Sequence, residues 1–174
     1  MDSNVMFVMS EKRKKEHLDK VINVNLKGTF YVSQIFGKEM IERKAGRIIS
    51  IFSHAALFGE KGFLSYEVSK AGIITMTRNH AFEWSQYGVT LCAIAPGFMA
   101  GGMNEPMLRK PAFVDYFSRK PPTEKMGTVE DLVATIVFLA SPEASYINGE
   151  TVVFDGGMTG YVQEALVDII DKAK

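Results

Sequence analysis

Cysteine is nearly missing from this 174-residue chain: Cys92 stands alone. No internal disulfide can form, no Cys/His spacing matches a zinc site, and a reducing compartment suits the chain. Excess charge of either sign is also lacking, because 20 Lys and Arg offset 20 Asp and Glu. Without a long-range positive field to gather phosphates, nucleic acid and charged membrane surfaces are poor candidate partners. Long apolar runs are absent too. The longest, Leu132 to Ala140, falls well short of the roughly 18 residues of a spanning helix, and no basic region precedes the short apolar stretch of MDSNVMFVM. These features predict a cytoplasmic location.

What is present describes a folded protein. Apolar residues make up 47% and charged residues 23%, a balance that supports a core and excludes disorder as the main state. The length suits one domain spanning 1–174. No repeat or low-complexity segment divides it, and glycine and proline fall singly or in pairs, as turn punctuation does.

From Ser10 to Arg43, Leu18, Val21, Ile22, Leu26, Phe30, Phe36, Met40 and Ile41 recur at helical spacing, predicting one long helix closed by Gly46. Arg47 to Ser53 (RIISIFS) is a near-continuous apolar run, expected to be a strand buried on both faces. A second long helix is predicted from about Ser65 to Tyr87, then a strand over Val89 to Ala95, stopped by Pro96-Gly97. A Met-rich stretch reads as irregular as far as Pro121-Pro122. A helix opens at Thr128-Val-Glu-Asp131 and runs to Ser141, and a third strand covers Thr151 to Asp155. Helix and strand alternate, so the fold class is α/β: a partial Rossmann-like parallel sheet with helices on both faces and right-handed crossovers. The tail, Tyr161 to Lys174, is an amphipathic segment that packs on its own domain or docks on a partner subunit.

Tyr66 and Lys70 lie four apart on the second helix, hence on one face. A phenol of pKa near 10 is a poor acid/base at neutral pH, and an ammonium held nearby is expected to favour phenolate. Such a tyrosine protonates a carbonyl or deprotonates an alcohol while hydride moves at the adjacent carbon. Spacing alone is weak evidence: six tyrosines and 14 lysines in 174 residues give about half a chance match. Tyr116 and Lys120 make a second such pair. Ser53, at the end of a predicted strand and 13 positions before Tyr66, separates them, since the matching position before Tyr116 is Met103. The second pair is therefore read as a surface coincidence.

With VINVNLKGTF, GRIISIFS, YEVSK, VTLCAIAPGF, TVEDLVATIVFLASPEASYINGE and VVFDGG in this order, the chain resembles the short-chain dehydrogenase/reductase family from about Ser10 to Gly157. The overall pattern is similar to 3-oxoacyl carrier-protein reductases, while AFEWSQYG looks more like the gluconate and sugar-acid dehydrogenases. The resemblance implies an oxidoreductase that interconverts a small-molecule carbonyl and alcohol with NAD or NADP. Tyr66 would be its general acid/base, and Ser53 would hydrogen-bond the substrate oxygen. Lys70 would lower the Tyr66 pKa and bind the nicotinamide ribose, and Asn25 would kink its helix and hold a water on the proton path. Pro96 and Gly97 would lie against the nicotinamide, with the Met99 backbone at its carboxamide. Gly101 departs from the pattern, which commonly has a threonine there. Read singly, Asn25 is a helix-bending polar residue, Ser53 a strand-end cap and Lys70 an exposed helix charge.

The family's glycine-rich TGxxxGxG turn, which binds pyrophosphate, and its NAD- or NADP-selecting residue are not in this sequence. Without the preceding strands, the Arg47 to Ser53 strand is expected to present an open edge that invites association. The resemblance also implies a homo-oligomer formed through the two long helices. A family relative that binds partners and catalyses nothing is the alternative. A Ser53-His54 hydrolase is disfavoured: strand neighbours point to opposite faces, and no GxSxG elbow exists. His54 is read as lining the crevice, His17 and His80 as helix-surface residues, and Lys12 to Lys15 as a solvated helix face. Phe58, Phe63, Phe98, Met99, Met103, Met107, Phe113 and Phe117 are expected to form an apolar lid.

Overall fold

The structure is a computed structural model and describes residues 8–160. The amphipathic tail from Tyr161 lies outside them. Three parallel strands form one sheet in the order β1-β2-β3: β1 Gly46–Ile51, β2 Val89–Pro96 and β3 Thr151–Phe154. Registers run Gly46↔Val89 to Ile51↔Ile94 and Ala93↔Thr151 to Pro96↔Phe154. Helices α1 (Lys15–Val21), α2 (Gly28–Glu42), α3 (Leu64–Trp84), α4 (Pro111–Arg119) and α5 (Val129–Ala140) surround it.

The period-two geometry of β2 divides the core. Ala93 and Ala95 pack with Phe52, Ile73 and Ile74 under α3, whereas Cys92 and Ile94 pack with Leu139 and Ala144 under α5. The ends of the long helices meet β2 through Ala81, Val89 and Leu91. Burial on both faces holds for β2 but not for β1. Along β1 only Ser50 is buried, and Ile51 is 49% exposed, because β1 is an edge strand among the described residues. Arg47 helps tie that edge down, donating to Thr90 Oγ1 at 3.0 Å and to the Ile147 carbonyl at 3.1 Å.

The single long helix predicted from Ser10 is divided. A 3-10 turn at Ser10–Lys12 gives way to extended backbone at Lys14, where α1 begins. Arg13 explains the break: its guanidinium donates to the carbonyls of Val8 and Gly62, both at 2.6 Å, and pins this segment to the loop before α3. The basic run is thus not a continuous solvated helix face. Between α1 and α2, Ile22–Lys27 forms a π-helical turn, a widening common at functional sites. It is pressed against α3 so closely that a Cβ on Gly72 would meet Leu26 at 2.9 Å.

Helix α3 ends as its sequence predicts, through a 3-10 turn at Ser85–Tyr87 and Gly88 at φ 73°. A side chain at Gly88 would also strike the Lys44 carbonyl, so glycine is required by conformation and by space. Helix α5 starts with a complete capping box, in which Thr128 and Asp131 each accept from the other's backbone N–H at 3.1 Å. Such a cap stabilises a helix by about 1 kcal/mol. Helix α4 corrects the reading of residues before Pro121 as irregular. Pro111 sits at its start, and Phe113 and Phe117 recur one turn apart on a short amphipathic helix.

Candidate active site

The carboxyl ends of the three strands build the site, as in open parallel sheets generally. Pairing outlasts β1: the Phe52 N–H donates to the Ile94 carbonyl at 3.0 Å and carries Ser53 past the sheet edge. Beyond β2, the Gly97 N–H donates to the Phe154 carbonyl at 2.9 Å and holds Gly97 beside Asp155. A cavity of about 420 Å³ opens there, lined by Ser53, His54, Tyr66, Pro96, Gly97, Phe98 and Met99 among others.

Ser53 adopts extended backbone and caps the short turn His54–Leu57, accepting from the Ala55 N–H at 3.2 Å. Ser53 lines the same cavity as Tyr66 and acts to lower the Tyr66 pKa. The strand-end cap and the candidate site residue are therefore the same serine. Lys70 reaches back over the Tyr66 ring, with Nζ 5.5 Å from the centroid.

The expectation of an acidified phenol needs correcting for this arrangement. Burial pushes the Tyr66 pKa up from 10.0, and Ser53 pulls it down less strongly. Burial also lowers the Lys70 pKa. The neutral, proton-donating phenol is thus the favoured form.

Asn25 sits in the π-helical turn and donates through Nδ2 to Ser69 Oγ at 3.0 Å, and Ser69 donates to the Tyr66 carbonyl at 2.7 Å. Its own carbonyl accepts from Thr29 Oγ1 at 2.6 Å. Asn25 thereby braces the backbone of the turn that carries Tyr66. Tyr116 and Lys120 reproduce the local geometry of the first pair, with Nζ 5.2 Å from the ring centroid, but Tyr116 is 51% exposed. Burial and the serine distinguish the two pairs; spacing does not.

The aromatic lid is layered. Phe63, Phe98 and Met99 line the cavity, Phe113 and Phe117 stack behind Phe98, and Phe58 packs on His54. Met107 is not part of the cavity lining. Asn104 donates to the Met99 carbonyl at 3.0 Å, and Gly127 bridges the same loop in parallel register. Gly101, where threonine was expected, has φ 113°, and Gly102 has φ 58°. Threonine at Gly101 would be strained, although a Cβ there has open space around it.

Two residues were missed or misplaced by sequence reasoning. Asp155 lies with Oδ2 3.8 Å from His54 Nδ1, both side chains 4% exposed; the strand-end position of VVFDGG was the available signal. His80 is buried, not on the surface, stacked on Trp84 at 4.2 Å and 12° where α3 faces α2.

Both buried histidines have lowered pKa values, chiefly through desolvation, with Asp155 and Glu83 opposing it at His54 and His80 respectively. As pH falls below the ordinary 6.5, the unfolded chain binds protons before the folded one does. Stability therefore drops in that direction. The urea midpoint is expected to fall between pH 7.5 and 5.5, and less so in His80→Phe; an unchanged midpoint would contradict this assignment.

A parallel sheet with a Ser/Tyr/Lys constellation at its carboxyl end defines the class. Residues 7–159 match a family profile described as enoyl-(acyl carrier protein) reductase, and the chain belongs to the short-chain dehydrogenase/reductase family. It is 38% identical over 147 residues to the 3-oxoacyl-[acyl-carrier-protein] reductase of Rickettsia felis, covering 84% of this chain and 60% of that protein. It is 30% identical over 149 residues to gluconate 5-dehydrogenase of Gluconobacter oxydans, covering 86% and 58%. A solved gluconate 5-dehydrogenase from Burkholderia cenocepacia, in complex with NADP and tartrate, superposes with a TM-score of 0.84 at 28% identity, over 89% of this chain and 61% of that one. The chain thus spans about 60% of the length of the curated relatives it matches. Among the described residues, no helix is long and apolar enough to cross a membrane.

Proposed function

We propose that these residues form the proton-transfer half of an NAD- or NADP-dependent oxidoreductase interconverting a small-molecule carbonyl and alcohol. The observation that carries this reading is that Ser53, just past the end of β1, and Tyr66, on α3, line one cavity, with the Lys70 ammonium over the Tyr66 ring. Two hydroxyl donors on the wall of one cavity can share one substrate oxygen. Tyr66 gives its proton to that oxygen as the carbonyl is reduced, and Ser53 donates a hydrogen bond that steadies the developing negative charge. Burial, by keeping the phenol neutral, favours this acid role. In the oxidative direction the phenol must first lose its proton, and the Lys70 ammonium is the nearby charge that assists.

The cavity fits the reacting end of a nicotinamide cofactor. Pro96, Gly97 and Met99 line it, Gly101 and Gly102 leave open space beside them, and Tyr66 lines it with Lys70 Nζ over its ring, a pair suited to binding ribose hydroxyls. When bound, the cofactor supplies or accepts the hydride. The dinucleotides present in the related structures, NADP and NADH, support this choice. Asn25 acts as a positioning residue through Ser69. Relatives acting on oxoacyl groups and on gluconate support a carbonyl/alcohol substrate.

The test follows NADH or NADPH oxidation by a ketone in the whole protein and in Ser53→Ala. A roughly 10²-fold or greater fall in kcat is expected from losing the oxyanion donor. Equal rates would remove Ser53 from the reaction.

A further inference from the structure

The loops that follow the three strands meet at His54. Its own backbone continues from β1 through Ser53 into the turn His54–Leu57. Phe98, in the loop after β2, stands edge-on to the imidazole at 5.7 Å, and Phe58 does the same at 5.1 Å. Asp155, directly after β3, brings Oδ2 to 3.8 Å from Nδ1, with both side chains 4% exposed. Asp155 is itself anchored, accepting from the Gly157 N–H at 2.9 Å and the Thr159 N–H at 2.6 Å. Among the described residues no hydrogen bond engages His54 Nδ1, so the ring takes its direction from the carboxylate's field in dry surroundings and from the aromatic edges. An apolar ring would fill this space without the cost of desolvating an imidazole and a carboxylate together. The proton-transfer scheme uses neither group.

We propose that His54, oriented by Asp155, is a positioning residue that fixes Ser53 for the reacting oxygen. This deepens the carbonyl/alcohol reading and rests on it. Ser53 precedes His54 by one peptide bond, and Ser53 Oγ accepts from the Ala55 N–H at 3.2 Å, so the serine is tied to the backbone on both sides of the imidazole. A ring that cannot turn holds its own Cα in place, and the planar peptide sets the Ser53 Cα about 3.8 Å from it. The extended backbone at Ser53 then leaves Oγ only the χ1 rotation, which the Ala55 N–H restrains. The carboxylate favours the tautomer with its proton on Nδ1. Asp155 and Lys120 are the charged groups that act on the ring, with opposite effects.

A double-mutant cycle between residues 53 and 54 tests this, because a group that acts only through Ser53 has nothing left to position once that hydroxyl is gone. In ketone reduction by the whole protein, His54→Phe is expected to lower kcat by at least about tenfold with KM little changed. In the Ser53→Ala background the same substitution should lower it by less than about twofold. His54→Asn, whose amide offers Asp155 a donor close to the place of the Nδ1–H, is expected to recover most of the loss. A native rate in His54→Phe, or the same fold loss in both backgrounds, would overturn the proposal. NMR of the ¹⁵N-histidine-labelled protein reads the ring directly: at neutral pH His54 is expected to carry its proton on Nδ1, and an Nε2–H tautomer overturns the orienting role of Asp155. The redox reading fails separately, since full turnover in Tyr66→Phe with the coupling between residues 53 and 54 intact would reject Tyr66 as the acid and keep the positioning role.

Discussion

Tyr66→Phe lowers kcat for ketone reduction by at least about 10²–10⁴-fold, the usual contribution of a positioned acid/base. Only the hydroxyl is removed. The ring that Lys70 overlies remains, and so does its place on α3, so the fold is expected to lose about 1 kcal/mol or less. Activity and stability therefore separate, and that separation is the diagnostic feature. Tyr116→Phe, made in a pair of nearly the same local geometry, is expected to leave turnover unchanged because Tyr116 stands half-exposed on α4. Turnover assays and thermal unfolding of both variants check the pair of expectations. A fully active Tyr66→Phe would end the assignment.

Leu139→Ala is expected to cost about 2–5 kcal/mol, the range for emptying a packed core site. Leu139 is 1% exposed and packs with Cys92, Ile94 and Ala144 between α5 and the sheet. Two residues earlier, Val137 is 63% exposed, and Val137→Ala is expected to change stability by less than about 0.5 kcal/mol. Urea unfolding of the two variants measures the contrast. Comparable losses would show that the outer face of α5 is covered in solution. Against a total stability of about 5–15 kcal/mol, the Leu139 loss is large enough to unfold a marginal domain.

The long helices differ in how well their sequences predicted them. Helix α3 was legible because glycines bracket it, Gly59 and Gly62 in the loop before it and Gly88 ending it by a purely local rule. The stretch from Ser10 obeyed a helical periodicity but is broken at Arg13–Lys14, where the guanidinium finds carbonyls at Val8 and Gly62. A contact spanning 49 residues leaves no mark in a helical repeat. His80 shows the same limit: its burial depends on Trp84 and on α2 packing beside α3.

By itself the sequence determined the α/β order, the three strands and the Tyr66–Lys70 juxtaposition, because these follow from backbone periods of two and 3.6 residues over short spans. Tertiary structure decided which Tyr/Lys pair is buried, that burial raises the Tyr66 pKa, and that His54 meets Asp155. Those outcomes depend on sheet register. Pairing Ile51 with Ile94 and Pro96 with Phe154 brings residues about 100 positions apart to one end of the sheet, where their desolvation and contacts set the chemistry.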